Sequence, residues 1–222
     1  MKLLSKILAY AAVPCLAAAL LISFIDRLSG DKAWIKREYE KLDINDYTGM
    51  STDEMCTVYL RMVDYMKGGT DELQTEVTVF GERTEMFGER EISHMSDVRK
   101  LWFRVETAKY ILFAFTAIAA ALALYVYRRR AAAVLARCWL IGICVIAFIA
   151  AVLAVWAAVD FYSFWILFHA VFLDVPSAIF DPAESLMIRI CVQQLFSDLI
   201  LRVAVYTCLL YTSPSPRDST SS

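Results

Sequence analysis

Four apolar stretches constrain this chain more than anything else in its sequence. They run from Ile7 to Ile25, from about Val105 to Tyr127, from Val134 to Val159 and from about Leu186 to Tyr206. A bilayer's hydrocarbon core is about 30 Å thick, and a helix needs about 20 apolar residues to cross it. A helix is the form expected, because it satisfies its own backbone hydrogen bonds in lipid. The expected fold class is therefore a mainly α membrane protein with four transmembrane helices. Composition agrees: 59% of the 222 residues are hydrophobic, against about 45–50% in ordinary soluble domains. A net charge of -2 offers no basic field for nucleic acid. Cys15, Cys138, Cys144 and Cys191 lie in apolar runs, where cysteine acts as a small buried hydrophobe, so no disulfide scaffold is expected.

Orientation follows from Lys and Arg in the short links. Arg128, Arg129 and Arg130, with Arg137 nearby, mark residues 128–133 as a cytoplasmic Arg loop. Residues 160–185 hold no Lys or Arg and read as an outward aromatic loop. Residues 1–25, with Lys2 and Lys6, become a cytoplasmic start followed by the first span. The basic start also allows a cleaved signal peptide, but the apolar run is long for one, so a retained anchor is expected. Pro14 directly before Cys15 argues against a lipoprotein signal. The remaining spans fall at 105–127, 134–159 and 186–207, with both termini in the cytoplasm.

Residues 26–104 then lie outside, as a small α+β domain between the first and second spans. Ser51 followed by Glu54 predicts a capping box opening a helix through Met66. Its apolar positions Met55, Val58, Tyr59, Met62 and Met66 recur at helical spacing, and Gly68 and Gly69 end it. Glu76 to Phe80 and Arg83 to Phe87 read as a hairpin around Gly81–Glu82. Glu89 to Phe103 reads as a charged helix running into the second span. At the other end of the chain, Cys208 to Asp218 reads like the translation of a transposase sequencing adapter. Residues 208–222 are therefore expected to be foreign to the natural protein, and no function is assigned to them.

The sequence has two histidines, His94 and His169, and the topology puts both near the outward leaflet surface. They are the expected shared site, the bland alternative being two unrelated interfacial side chains. With Glu91 and Asp97 they offer donors of the type zinc takes, but the spacing matches no strong metal motif. No metal and no cofactor is expected. A Gly-rich phosphate loop and a serine-hydrolase elbow are both missing. Arg189, Asp198 and Arg202 fall inside the fourth apolar stretch. Arg189 reads as a functional charge or as one that snorkels to headgroups. Asp198 and Arg202, spaced i, i+4, read as an intrahelical ion pair.

The chain resembles the bacterial lipoprotein intramolecular transacylases. The resemblance rests on Glu89-Arg-Glu-Ile-Ser-His94-Met-Ser-Asp-Val-Arg-Lys-Leu101 and on Phe168-His169-x-x-Phe172. The Asp181-Pro182 turn before Leu186-Met-Ile-Arg-Ile190 and the Asp64-Tyr65-Met66 helix end also fit. Cys191-Val192-Gln193-Gln194 departs from the family, which has a Pro-Glu pair there. The resemblance implies transfer of the sn-2 acyl chain of a diacylglyceryl lipoprotein to the α-amine of its own N-terminal cysteine. The product is a lyso-form lipoprotein. It implies His94 and His169 as the catalytic pair and no covalent nucleophile. The implied partners are diacylglyceryl-modified lipoproteins and membrane lipid. Glu91, Asp97, Arg99, Asp174 and Arg189 are the substrate-binding candidates, and Glu91 or Asp97 is placed to orient the His94 ring. Solvated surface acids are the alternative reading for those two. The competing functions are a non-enzymatic membrane sensor or assembly protein, and a membrane lipase or phospholipid acyltransferase.

Overall fold

A computed structural model describes residues 2–173 and 180–212. The described part is mainly helical. Asp174, the middle of the 160–185 stretch and residues 213–222 lie outside it.

Helix α1 (Lys2–Ser29) lies antiparallel to the long helix α5 (Glu89–Tyr127), and α6 (Ala131–Val159) packs beside both. Small side chains explain the closeness: Ala9, Ala12 and Ala19 of α1 and Ala119 and Ala123 of α5 are all buried. Without large side chains between them, backbones approach and dispersion contacts add up, as in membrane helix pairs. Thr116 Oγ1 crosses the seam to donate to the Ala12 carbonyl at 3.4 Å. Two stretches, Lys2–Ser29 and Glu89–Ala157, are long and apolar enough to cross a membrane. The second contains α5 and α6, with a 3₁₀ turn at Arg128–Arg130 between them. Leu140, Val145 and Phe148 of α6 and Ile111, Ile118 and Leu124 of α5 are exposed apolar side chains, the surface that lipid accepts and water does not.

The 39 residues of α5 would extend about 58 Å, well beyond a bilayer's core. Its charged first turns stand in a head built from α2 (Lys32–Leu42), α3 (Asn45–Thr48), α4 (Thr52–Lys67), β1 (Glu76–Val79) and β2 (Glu82–Glu85). Ser51 Oγ accepts from the Glu54 N–H at 3.3 Å and opens α4. Glu54 does not complete the box; its side chain accepts from the Thr78 N–H at 2.7 Å and ties α4 to the hairpin. The hairpin pairs Glu76 with Glu85 and Val79 with Glu82. Its two-residue loop is thus Phe80–Gly81, one residue earlier than the glycine suggested. Both loop residues take positive φ, +51° and +88°, which matches the twist of a tight hairpin. Phe80 is held there by its N–H, which donates to the Gly49 carbonyl at 2.9 Å.

Three other sequence expectations change. The 160–185 loop contains a helix, α7 (Phe161–Phe172), capped by Asp160, whose side chain accepts from the Ser163 N–H at 3.0 Å. The helix expected over 186–207 is two: α8 (Leu186–Ile190) and α9 (Gln193–Thr212), broken at Cys191–Val192. The break has a tertiary cause. Met187, Ile190, Cys191 and Leu195 all enter the head's core beside Ile35, Tyr39, Met55 and Met86, and Tyr39 donates its hydroxyl to the Ile190 carbonyl at 3.1 Å. Finally, Asp198 and Arg202 do not pair with each other. Asp198 meets Lys41 at 2.7 Å and Arg202 meets Asp31 at 2.6 Å. Both partners lie on or next to α2, so these charges dock α9 on the head instead of neutralising one another.

Candidate active site: a buried histidine pair

His94 sits in the second turn of α5, and its placement begins with how that helix starts. Gly88 offers no side-chain cap, so Glu91 reaches back and accepts from the Gly88 N–H at 2.6 Å. The same carboxylate accepts from the Ser185 hydroxyl and, at 3.3 Å, from the Met187 N–H. Ser185 Oγ in turn caps α8 by accepting from the Ile188 N–H at 3.2 Å. Glu91 and Ser185 are both buried, so one carboxylate clamps the start of α5 to the start of α8. Phe180 lies edge-on against His94, with ring centroids 5.5 Å apart.

His169 arrives from the last turn of α7. Its Nδ1 lies 2.8 Å from the Trp165 carbonyl oxygen. A carbonyl only accepts, so this contact places the proton on Nδ1 and leaves the lone pair of a neutral ring on Nε2. The Trp165 ring lies against His169 at 4.6 Å and against Phe196 of α9 at 4.8 Å. Phe168 closes a further side at 5.6 Å. The two histidines meet with ring centroids 6.0 Å apart and planes inclined by 24°. Their residues are 7% and 6% exposed, unusual for the side chain that ordinarily titrates nearest neutrality. Burial lowers the pKa of His94 to about 4; the charge His169 can carry adds to the effect and Asp97 opposes it. His94 is therefore neutral at pH 7. Its Nδ1 is buried with no hydrogen-bond partner among the described residues.

The other sequence candidates separate. Glu91 is part of the clamp. Asp97 pairs with Lys100 at 2.8 Å, part exposed, one turn from His94. Arg99 is engaged elsewhere: it donates to the Thr70 carbonyl at 3.1 Å and to Asp71 at 2.6 Å, between the rings of Tyr65 and Phe103. Arg189 donates to the carbonyls of Pro182 and Ala183 at 2.6 and 2.8 Å and secures the turn before α8. Asp174 lies outside the described residues. Trp165, Phe180 and Ser185 were not singled out from sequence. The cues were present: Trp165 precedes His169 by one helical turn, and Ser185 stands at an N-cap position before Leu186.

Comparison with known proteins identifies the fold and the family. A solved structure of the membrane integral lipoprotein intramolecular transacylase Lit from Bacillus cereus is similar, with a TM-score of 0.75 and 16% identity. It covers 96% of this chain and 94% of its own. Two variants of that Bacillus cereus protein, in which one histidine is replaced by arginine or by alanine, are similar at TM-scores of 0.69 and 0.67. Both are 15% identical and cover 95% of this chain, and 90% and 92% of their own. Identity this low speaks for the fold alone. No curated sequence matches. The family profile described as lipoprotein intramolecular transacylase Lit matches residues 11–196, most of the chain. A chain so matched, with this fold, belongs to the lipoprotein intramolecular transacylase family.

Proposed function

We propose that the chain spans the bacterial cytoplasmic membrane four times and works on its outer leaflet. It moves the sn-2 acyl chain of a diacylglyceryl lipoprotein to the α-amine of the same lipoprotein's N-terminal cysteine. The observation that carries this is the buried His94–His169 pair in a member of a transacylase family. The Arg-rich link supports the orientation, with the head and the histidines outward.

The reaction needs one bond made, one broken and one proton moved. The amine nitrogen attacks the ester carbonyl, a C–N bond forms, and the carbonyl oxygen becomes an oxyanion. Collapse breaks the bond to the sn-2 glyceryl oxygen. The nitrogen loses a proton and the leaving oxygen gains one, leaving an amide and a free sn-2 hydroxyl. His169, with its lone pair on Nε2, takes the proton from nitrogen and returns it to the leaving oxygen. His94, neutral and with an Nδ1 that has no partner among the described residues, stabilises the oxyanion by donating from a ring N–H. Attacking amine and ester belong to one substrate, so alignment supplies much of the rate. The aromatic wall of Trp165, Phe168 and Phe180 excludes water that would hydrolyse the ester.

The test is expression with a lipoprotein in a host lacking its own N-acylating enzyme, followed by mass spectrometry of the N-terminal lipopeptide. One acyl chain moves from glycerol to nitrogen with the unaltered chain, and neither His94→Ala nor His169→Ala supports transfer. Release of free fatty acid without N-acylation would select a lipase. No change, with the protein present in the membrane, would select a non-enzymatic role.

A further inference from the structure

Opposite the histidine pair, the helix ends enclose a second feature. A cleft of about 160 Å³ opens between α1, α5 and α6, lined by Lys6, Tyr10, Tyr127, Val134, Arg137 and Cys138. Two cations, one from α1 and one from α6, face this single space. Neither Lys6 nor Arg137 has an ion pair or hydrogen bond among the described residues. The Tyr127 hydroxyl forms the wall by donating to the Lys2 carbonyl at 2.6 Å. Cys138 also belongs to a small buried apolar cluster with Ala9 and Val13.

The charge around the cleft is uncompensated. Lys2, Lys6, Arg128, Arg129, Arg130 and Arg137 stand at this end, while residues 1–25 and 112–159 contain no Asp or Glu. A surplus of cations facing the cytoplasm is ordinary in membrane proteins. Lys6 and Arg137 are themselves exposed, but two cations from different helices lining one half-open cleft with no carboxylate in its lining are not required by that bias. The volume is about five times a water's share of about 30 Å³, room for a phosphate group. Basic clefts between membrane helices at this depth suit phosphate headgroups.

We infer that the cleft bounded by Lys6, Tyr10, Tyr127 and Arg137 binds a phosphate group, with Lys6 and Arg137 as its counter-ions and an anionic phospholipid as its carrier. The inference takes its membrane depth from the proposed four-span topology, but not its chemistry from the histidines. A lipid held here bridges the start of α1 to α6.

The experiment is native mass spectrometry of the full chain from detergent, titrated with phosphatidylglycerol, phosphatidylcholine or sodium phosphate. Two cations at about fivefold each predict about twenty-fivefold preferential retention of phosphatidylglycerol over phosphatidylcholine. The Lys6→Gln/Arg137→Gln double variant brings the two lipids level, whereas Arg129→Gln, outside the cleft, leaves the preference largely intact. Should the double variant not fold, Lys6→Gln alone carries the comparison with about a fivefold loss. Displacement of the lipid by millimolar sodium phosphate supports the phosphate site and names free phosphate as a second source. Equal retention of the two lipids, or an Arg129→Gln loss as large as that of the cleft variants, overturns the inference. Transfer activity measured on the same preparations reports separately on the histidine site.

Discussion

Replacing Glu91 by glutamine tests how the site is held together. The native carboxylate serves three donors: Oε2 takes the Gly88 N–H at 2.6 Å, and Oε1 takes the Ser185 hydroxyl and the Met187 N–H at 3.3 Å. Glutamine keeps one oxygen. Whichever way the amide turns, its NH₂ group opposes a backbone N–H, that of part-buried Gly88 or that of buried Met187, and strands one donor. Leaving such a donor unsatisfied costs about 1–3 kcal/mol. The distortion falls where α5 begins, one turn before His94. If all of it reaches the transition state, transfer slows by about 5- to 150-fold. Glu91→Ala strands all three donors and costs about 3–5 kcal/mol. The assay pairs denaturation of the solubilised protein with the transfer rate per folded molecule. A Glu91→Gln protein that unfolds like the unaltered chain and transfers at full rate would refute the clamp.

Four further outcomes follow from the fold and the site. His94 in ¹³C-labelled protein titrates near pH 4 instead of the ordinary 6.5, and His169→Ala moves it upward by removing a neighbouring positive charge; an unchanged midpoint contradicts the coupling. The folded pKa lies below the unfolded one, so the unfolded chain holds more protons between pH 6.5 and 4. His94's contribution to stability is therefore complete above pH 6.5 and lost as pH falls towards 4, by about 3 kcal/mol at full extent, as a pH series of denaturation midpoints with a His94→Ala control will read. Arg202→Ala removes the 2.6 Å pair with Asp31 and the stacking on Trp34; it lowers stability by about 1–3 kcal/mol, and a double-mutant cycle with Asp31→Asn shows non-additivity. Met55→Ala, in the centre of the head's core, costs about 2–5 kcal/mol, measurable by the same denaturation.

How far the sequence carried this reading depended on whether the deciding interaction was local. The α4 cap at Ser51 and its Gly68 stop were legible because capping is written within a few residues. The convergence of His94 and His169 was legible in outline, because four apolar stretches put both at one end. Their 6.0 Å contact was not, because it depends on α7 lying where its aromatic residues pack on Phe196. From sequence, residues 160–185 read as an outward aromatic loop, and the Asp160 cap that opens the helix shows only in the structure. The break at Cys191–Val192 has neither Gly nor Pro to announce it, and only the head's core demands it. Asp198 and Arg202 looked like a local pair because the sequence does not show that Lys41 and Asp31 stand opposite them. The clamp at Glu91 joins residues 94 apart along the chain, beyond the reach of any spacing rule.

The central claim is that the histidine pair moves an acyl chain within one lipopeptide. The most direct measurement gives the purified protein a synthetic diacylglyceryl lipopeptide carrying an isotopically labelled sn-2 chain. An unlabelled lipopeptide of different peptide mass is mixed with it. The account predicts that the label appears as an amide on its own peptide, and that His94→Ala and His169→Ala both abolish it. Label crossing to the second peptide, or full transfer by either histidine variant, would contradict it.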